Sequence, residues 1–185
     1  MRHEAPALIR RAGTADAEQL GVVAPAAYAE AYDYLWSDAQ AYGRHLQSFG
    51  KMAFVDVLAH SDTSIWVAEI RGTIIGFATL IMGSPDPING CPAGAELRRL
   101  YLLGPARGCG LGRDLLAVVE GYAHAHGAHH IWLDVMDSAP WAIHAYLAWG
   151  FTAIGSSRFP NGVRPELETL LVLQKSTDVL LHKGR

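Results

Sequence analysis

Only two cysteines, Cys91 and Cys109, occur in 185 residues. Two thiols in a chain of this size do not make a disulfide framework and fit a reducing, cytoplasmic setting. No run of about 18 apolar residues occurs, which argues against a transmembrane span. The opening, MRHEAPALIRRAG, has a charge every few residues and no apolar stretch, so no secretory signal is expected. Internal repeats and low-complexity linkers are also missing. The net charge is only -3 with histidine neutral, so the whole chain has no basic footprint for nucleic acid. What is present is apolar: 50% of residues are hydrophobic, enough for a sizeable core. The expectation is one domain over 1–185, with a core at 7–174 and a tail at 175–185.

Apolar periodicity and turn residues order the chain. A short strand is expected at 7–11, then a helix from Thr14 to about Tyr34 with Thr14 or Asp16 as its cap. Helical segments follow from Ser37 or Asp38 through 49, and at 51–59. SIWVAEI (64–70) and TIIGFATLIM (73–82) read as strands joined tightly by Arg71-Gly72. SPDPINGCPAG (84–94) is a loop, and AELRRLYLL (95–103) a strand. Gly110 to His126 reads as a helix with Leu111, Leu115, Val118, Val119 and Tyr122 on one stripe. HIWLDVM (130–136) is a strand. Ser138 and Pro140 open a helix at 139–149 that Gly150 ends. FTAIGSS and ELETLLVLQ form a last strand pair. The order predicts an α/β sandwich with a mixed, mostly antiparallel sheet, whose parallel unit is 95–135.

Charge is uneven along this order. Arg98, Arg99, Arg107 and Arg113 lie within sixteen residues. A solvated basic face is one reading; beside a glycine loop, an anion site is the better one. The loop is ARGCGLGRDLL (106–116), between a strand and a helix. Amides at a helix start lack intrahelical partners and sit at the positive end of the dipole, and glycine lets a polyanion approach them. No Lys-Ser/Thr pair follows the last glycine, so this is not a Walker A loop. The G-x-G-x-G spacing, late in the chain, does not match a dinucleotide fingerprint. A glycine turn that only lets the helix pack on the sheet is the bland alternative.

Arg107-x-x-Gly110-x-Gly112, with RRLYLLGPARGCGLGRDLL around it and IWLDVMDSAPWAIHAYLAWGF after it, resembles the acetyl-CoA signature and closing block of the GNAT superfamily of N-acetyltransferases. The resemblance spans about 7–174 and is strongest over 95–151. Within the superfamily, IWLDV, AIHAY, GF, IGSSRF and ELETLLVL look most like bacterial polyamine (spermidine-type) N-acetyltransferases. The resemblance implies a GNAT-like α/β fold, a mixed sheet with splayed parallel central strands between helices. It implies acetyl-CoA as cosubstrate and no metal. The CoA pyrophosphate would lie on Arg107, Gly108, Cys109, Gly110, Leu111, Gly112 and Arg113. Pantetheine would bond along the strand edge at Leu100, Tyr101 and Leu102, like an added strand.

Acetylating an amine requires removing a proton from a group whose pKa is near 10.4. It also requires stabilising the thioester oxygen, typically by an amide near Leu102, and protonating the leaving thiolate. Tyr146 matches the family's acid in A-I-x-x-Y; without that resemblance it reads as one aromatic on an amphipathic helix. For the base, strand alternation puts Glu96, Arg98, Leu100 and Leu102 on one face and Leu97, Arg99 and Tyr101 on the other. Relatives often carry an acid where Arg98 stands. Glu96, one pleat back, is the candidate base, or the partner of Arg98 in an ion pair. Asp134 is either a second proton acceptor or an exposed strand residue. Ala139 replaces an asparagine that contacts the cofactor in many relatives.

YAEAYDYLWSDAQAY (28–42) combines Tyr28, Tyr32, Tyr34, Trp36 and Tyr42 with Glu30, Asp33 and Asp38. Aromatic faces beside carboxylates suit a cationic amine, while ordinary helix packing is the alternative. His124, His126, His129 and His130 have no spacing that suits a metal; a helix end favours cationic histidine. The expected partner is a small-molecule amine, polyamine-like, with no nucleic acid and no membrane; a homodimer stays open. Rival readings are acetylation of a protein N-terminus or lysine, and a non-catalytic acyl-CoA-binding or regulatory module, which Arg98 and Ala139 motivate.

Overall fold

Arg71 and Gly72 both hold positive φ, 51° and 79°, the geometry of a two-residue type I′ turn. They join strands that pair from Ile70↔Thr73 outward. The computed structural model describes residues 6–159 and 162–177. Seven strands form one sheet: β1 (Leu8–Arg11), β2 (Thr63–Ile70), β3 (Thr73–Met82), β4 (Gly94–Leu102), β5 (His130–Met136), β6 (Thr152–Arg158) and β7 (Thr169–Ser176). Their order is β1-β2-β3-β4-β5-β7-β6. Only β4 and β5 pair in parallel. The α-helices among the described residues are α1 (Ala17–Tyr32), α2 (Ala39–Gln47), α3 (Lys51–Ala59), α4 (Leu111–Ala125) and α5 (Pro140–Ala148). None of them is long and apolar enough to cross a membrane.

Two apolar clusters flank the sheet. Leu20, Val23, Tyr28, Phe54 and Phe77 knit α1 and α3 to one face. Leu115, Leu116 and Val119 of α4 pack with Leu80, Leu97, Ile131 and Leu133 on the other. Burying each such side chain stabilises the fold by about 1.5–3 kcal/mol. Gly21 lets α1 approach α3 closely, since a Cβ there would lie 2.6 Å from the Lys51 nitrogen. The α4 stripe differs from expectation in one member: Val118 is 40% exposed, and Leu116 and Ala123 are buried in its place.

Other local expectations shift as well. The first helix is three pieces, with 3-10 turns at Thr14–Asp16 and Asp33–Leu35 around α1. Gly13 is the residue before the first turn, and its amide donates to the Asp16 carboxylate at 2.8 Å. Asp16 also pairs with Arg10, which bridges to Glu69. Ser138 does not cap α5. Ala139 takes that position, buried, and Ser138 instead meets the Tyr34 hydroxyl at 3.1 Å. β7 continues through Ser176, past the expected core end, and the Thr177 hydroxyl and amide donate to the carbonyls of Ala128 and His129. Residues 178–185 of the expected tail lie outside the described residues.

Candidate active site

The site starts where β4 leaves β5. Their pairing covers Gly94↔His130, Ala95↔Ile131 and Glu96↔Trp132, although both strands continue. Against β3, β4 carries a bulge: Thr79 pairs Arg99 and Leu80 pairs Leu97, so Arg98 is the extra residue. A bulge bends the strand that carries it, and here it sits just past the last parallel pair. Beyond it, the Leu103 amide bonds back to the Ile75 carbonyl of β3. Alternation then turns the backbone groups of Leu100 and Leu102 to the parted edge and those of Tyr101 to β3. The Leu102 carbonyl accepts a bond from Arg107 Nε at 3.1 Å on that open side.

The bulge also overturns the expected faces of β4. Leu97 joins Leu100 and Leu102 on the α4 side. Glu96 lies with Arg99 and Tyr101 on the α1 side, where Arg99 sits 4.5 Å from the Phe49 ring centre. Strict alternation misses this because one extra residue reverses every later side chain.

A cleft of about 580 Å³ opens at the parted edge, walled by Leu100, Tyr101, Leu102, Arg107, Gly108, Gly110, Gly112, Arg113 and side chains of α5. Gly110 precedes α4 with φ 91°, a left-handed conformation that glycine adopts without penalty. The Arg113 and Asp114 amides make the first helical bonds, to the Gly110 carbonyl. The amides just before them stand at the helix start, suited to a polyanion. Cys109 and Leu111 turn their side chains elsewhere: Cys109 Sγ donates to the Ala106 carbonyl at 3.2 Å, and Leu111 is buried in the core. Only their backbone belongs to the loop's rim. Glu30 braces the loop from α1, accepting from the Gly104 amide at 3.0 Å and from Arg107 at 3.3 Å. An open, glycine-lined helix start flanked by Arg107 and Arg113 fits the phosphates of a nucleotide-bearing thioester.

Tyr146 lines this cleft from α5. Its ring packs edge-on against Trp149 and Phe151, each 5.5 Å away. Burial, and secondarily Tyr32, raise its pKa above the ordinary phenol range, so it stays protonated. Trp141, Ala145 and Trp149 share the wall, and none was anticipated from sequence. Their i, i+4, i+8 spacing along α5 and its C-cap was the available signal.

A second cleft, about 430 Å³, lies on the α1 side and includes Tyr28, Glu96, Arg98, Trp132, Asp134, Arg158 and Phe159. Tyr32 and Tyr101 line both clefts. Glu96 is 6% exposed and forms a bidentate ion pair with Arg98, and accepts from Ser84 Oγ at 3.1 Å. Asp134 is accessible, and its carboxylate accepts from Ser157 Oγ at 3.3 Å. Desolvation in the cleft pushes the Asp134 pKa up; Ser157 opposes this and the nearby Glu96 charge adds to it.

The segment 28–42 divides. Tyr28 and Tyr32 reach the second cleft. Trp36 donates to the Tyr28 hydroxyl at 3.1 Å and stacks on Tyr42 at 5.6 Å. Its acids stand outside the cleft: Glu30 braces the loop, Asp38 caps α2 through the Gln40 and Ala41 amides, and Asp33 is exposed. His45 inserts among these rings, 4.5 Å from Tyr28 and 4.9 Å from Trp36. Burial pushes its pKa down to about 4. The other histidines are scattered: His126 stacks on Tyr122 at 3.8 Å, and His130 is buried 4.0 Å from Asp86. Among the described residues no three His, Cys, Asp or Glu side chains converge as a metal site.

Comparison with known proteins identifies the family. Residues 27–151 match the model of the acetyltransferase (GNAT) family, and the chain belongs to that family. It is an acetyl-CoA-dependent N-acetyltransferase. No curated protein matches it in sequence. Among solved structures it resembles the PaiA N-acetyltransferase of Thermoplasma acidophilum in complex with coenzyme A, at 20% identity and TM-score 0.75 over 93% of this chain and 99% of that one. It resembles a ribosomal-protein-alanine N-acetyltransferase of Brucella melitensis at 25% identity and TM-score 0.65, over 91% and 99%. It also resembles yncA of Salmonella typhimurium, solved with acetyl-CoA, at 21% identity and TM-score 0.68, over 94% and 95%.

Proposed function

We propose that this enzyme acetylates a primary amine of a small molecule by direct attack, with the donor in the 580 Å³ cleft and the acceptor in the 430 Å³ cleft. One observation carries the reading: the clefts share Tyr32 and Tyr101 at the place where β4 has left β5. A thioester on one side and an amine on the other meet there.

Acetyl-CoA supplies an activated acetyl group. The amides of Gly108 to Gly112, with Arg107 and Arg113, take the phosphates. The backbone groups of Leu100 and Leu102 take the pantetheine arm, and the Leu102 amide is placed to donate to the thioester oxygen. Tyr101 contributes its side chain as the partition between the clefts. Asp134 takes the proton from the bound ammonium, since its carboxylate is accessible in the acceptor cleft and its raised pKa brings it nearer to neutral pH. Glu96, tied by Arg98, is poorly free for that task. Tyr146 returns a proton to the sulfur that leaves, and burial keeps its phenol protonated for this purpose.

A cleft of this volume suits a small amine better than a folded protein's lysine. For a polyamine-like acceptor, the support in this cleft is its aromatic walls and Asp134, because Glu30, Asp33 and Asp38 stand elsewhere. The test is an amine panel that includes spermidine, amino acids and a peptide, with acetyl-CoA and free-thiol detection. Amine-dependent thiol release with a small amine is expected. Release with the peptide alone, or with no amine, defeats the reading.

A further inference from the structure

The acceptor cleft contains two guanidinium groups, Arg98 and Arg158, and two carboxylates, Glu96 and Asp134. Their arrangement is not symmetric. Glu96 is nearly sealed and binds Arg98 through Nε and Nη2, one to each carboxylate oxygen. Ser84 Oγ also donates to this carboxylate, at the oxygen that Arg98 Nη2 holds. The Arg98 side chain is nevertheless 53% exposed. Such a bidentate partner fixes the plane of the guanidinium and uses only two of its five N–H groups. Arg98 is therefore a cation oriented by a buried carboxylate, with donors left over in an open cleft. Arg158 adds a second guanidinium, 81% exposed and only 3.9 Å from its nearest acid, Glu168. Asp134 is the one cleft carboxylate not in direct ion-pair contact among the described residues, although Arg98 is near enough to act on its charge.

A polycation needs several free carboxylates, and this cleft offers one. A molecule that presents an ammonium and a carboxylate matches both poles: its ammonium on Asp134, its carboxylate on Arg98. The remaining walls, Tyr28, Tyr32, Leu35, Met136 and Phe159, suit an apolar body. Resting on the proposed N-acetylation, we infer that the acceptor is a primary amine that also bears a carboxylate, an amino-acid-like molecule, and that Arg98 recognises the carboxylate. Glu96 is then a positioning residue for Arg98.

The test compares an apolar amino acid, its amide, the corresponding decarboxylated amine and spermidine, by kcat/KM with saturating acetyl-CoA. The wild type is expected to prefer the acid over its amide by about tenfold or more, the size of a charge-assisted hydrogen-bond pair. Arg98→Gln is expected to remove about that factor from the acid-over-amide ratio, through KM for the acid. Arg98→Gln alone leaves Glu96 buried and uncompensated, so Glu96→Gln/Arg98→Gln removes both charges and is expected to lose the same preference. The ratio of two substrates on one preparation is insensitive to any loss of folded enzyme. Comparing that ratio between wild type and variant also cancels the amines' own basicity. Preference for spermidine or the amide, or a ratio that neither variant changes, overturns the inference and leaves N-acetylation standing. Absence of thiol release with every amine overturns the proposed function and this inference together.

Discussion

The proposed donor and acceptor clefts are built from different materials. The donor cleft is mainly backbone: a glycine loop, a helix start and the free edge of β4. The acceptor cleft is mainly side chains: rings from α1, two arginines and two acids. Backbone sites tolerate many side chains, so a cofactor common to a family is held by a pattern of glycine and helix. Side-chain sites change with single residues, so single substitutions reach the proposed acceptor cleft more readily than the proposed donor cleft. In this chain the family-like half and the idiosyncratic half meet at Tyr32 and Tyr101.

Tyr146 gives the sharpest cut between the halves. Its ring belongs to the donor cleft, but its proposed role is confined to the proton transfer. Tyr146→Phe is expected to lower kcat by about 10²- to 10⁴-fold, with acetyl-CoA affinity by titration calorimetry within about twofold. An unchanged kcat removes Tyr146 from the chemistry and leaves it as a wall. Asp134 is the counterpart on the other side. Asp134→Asn is expected to cost about 10²-fold in kcat/KM for the amine. A base must be ionised, so wild-type kcat/KM rises with pH through the Asp134 pKa, which desolvation holds above the usual carboxylate range. That rising limb should vanish in Asp134→Asn, while the limb set by the amine itself remains. If the limb survives, the base lies elsewhere.

Gly110 probes the donor half through backbone alone. An alanine there must hold φ near 91°, a left-handed conformation that costs about 1–2 kcal/mol. If the strain is relieved by re-forming the loop, the amides at the start of α4 no longer converge. Gly110→Ala is expected to raise KM for acetyl-CoA by about tenfold and to leave KM for the amine unchanged. Equal effects on both would show that the two clefts are not separable.

Sequence pattern reached unequal depths in the two halves. The succession of elements along the chain, the parallel β4–β5 unit and the glycine turn before α4 were legible because glycine spacing and apolar periodicity are local signals. Placing Glu96 was not, because the face of a strand depends on register, and the bulge at Arg98 reverses it. Nothing in AELRRLYLL marks which residue will be extra. The acids of 28–42 were misleading for a related reason. Composition puts Glu30, Asp33 and Asp38 beside the aromatics, but helix geometry sends them to the loop, the solvent and the α2 cap. Trp141 and Trp149 were readable from the α5 spacing, which aligns them with Ala145 on one face.

The smallest effect concerns the stability of the acceptor wall. His45 sits in the ring cluster behind Tyr28, and burial, with help from the charge of Arg99, lowers its pKa to about 4. An unfolded histidine titrates near 6.5. Below that value the unfolded chain binds a proton that the folded chain refuses. Stability linked to His45 is therefore complete above pH 6.5, and is lost as pH falls towards 4. At pH 5, discounted for partial exposure, the loss is about 1 kcal/mol, or 2–4 °C in Tm for a chain of this size. His45 Nε2 has no hydrogen-bond partner among the described residues, so phenylalanine can replace the ring without breaking a bond there. His45→Phe is expected to lose about 2–4 °C less than wild type between pH 7 and pH 5, measured by thermal melts. Among the described residues the proposed donor cleft has no histidine in its walls, so acetyl-CoA affinity should keep the same pH dependence in both proteins. Identical melts would mean that His45 gains a partner or water on protonation, and that the acceptor wall is more open than its packing implies.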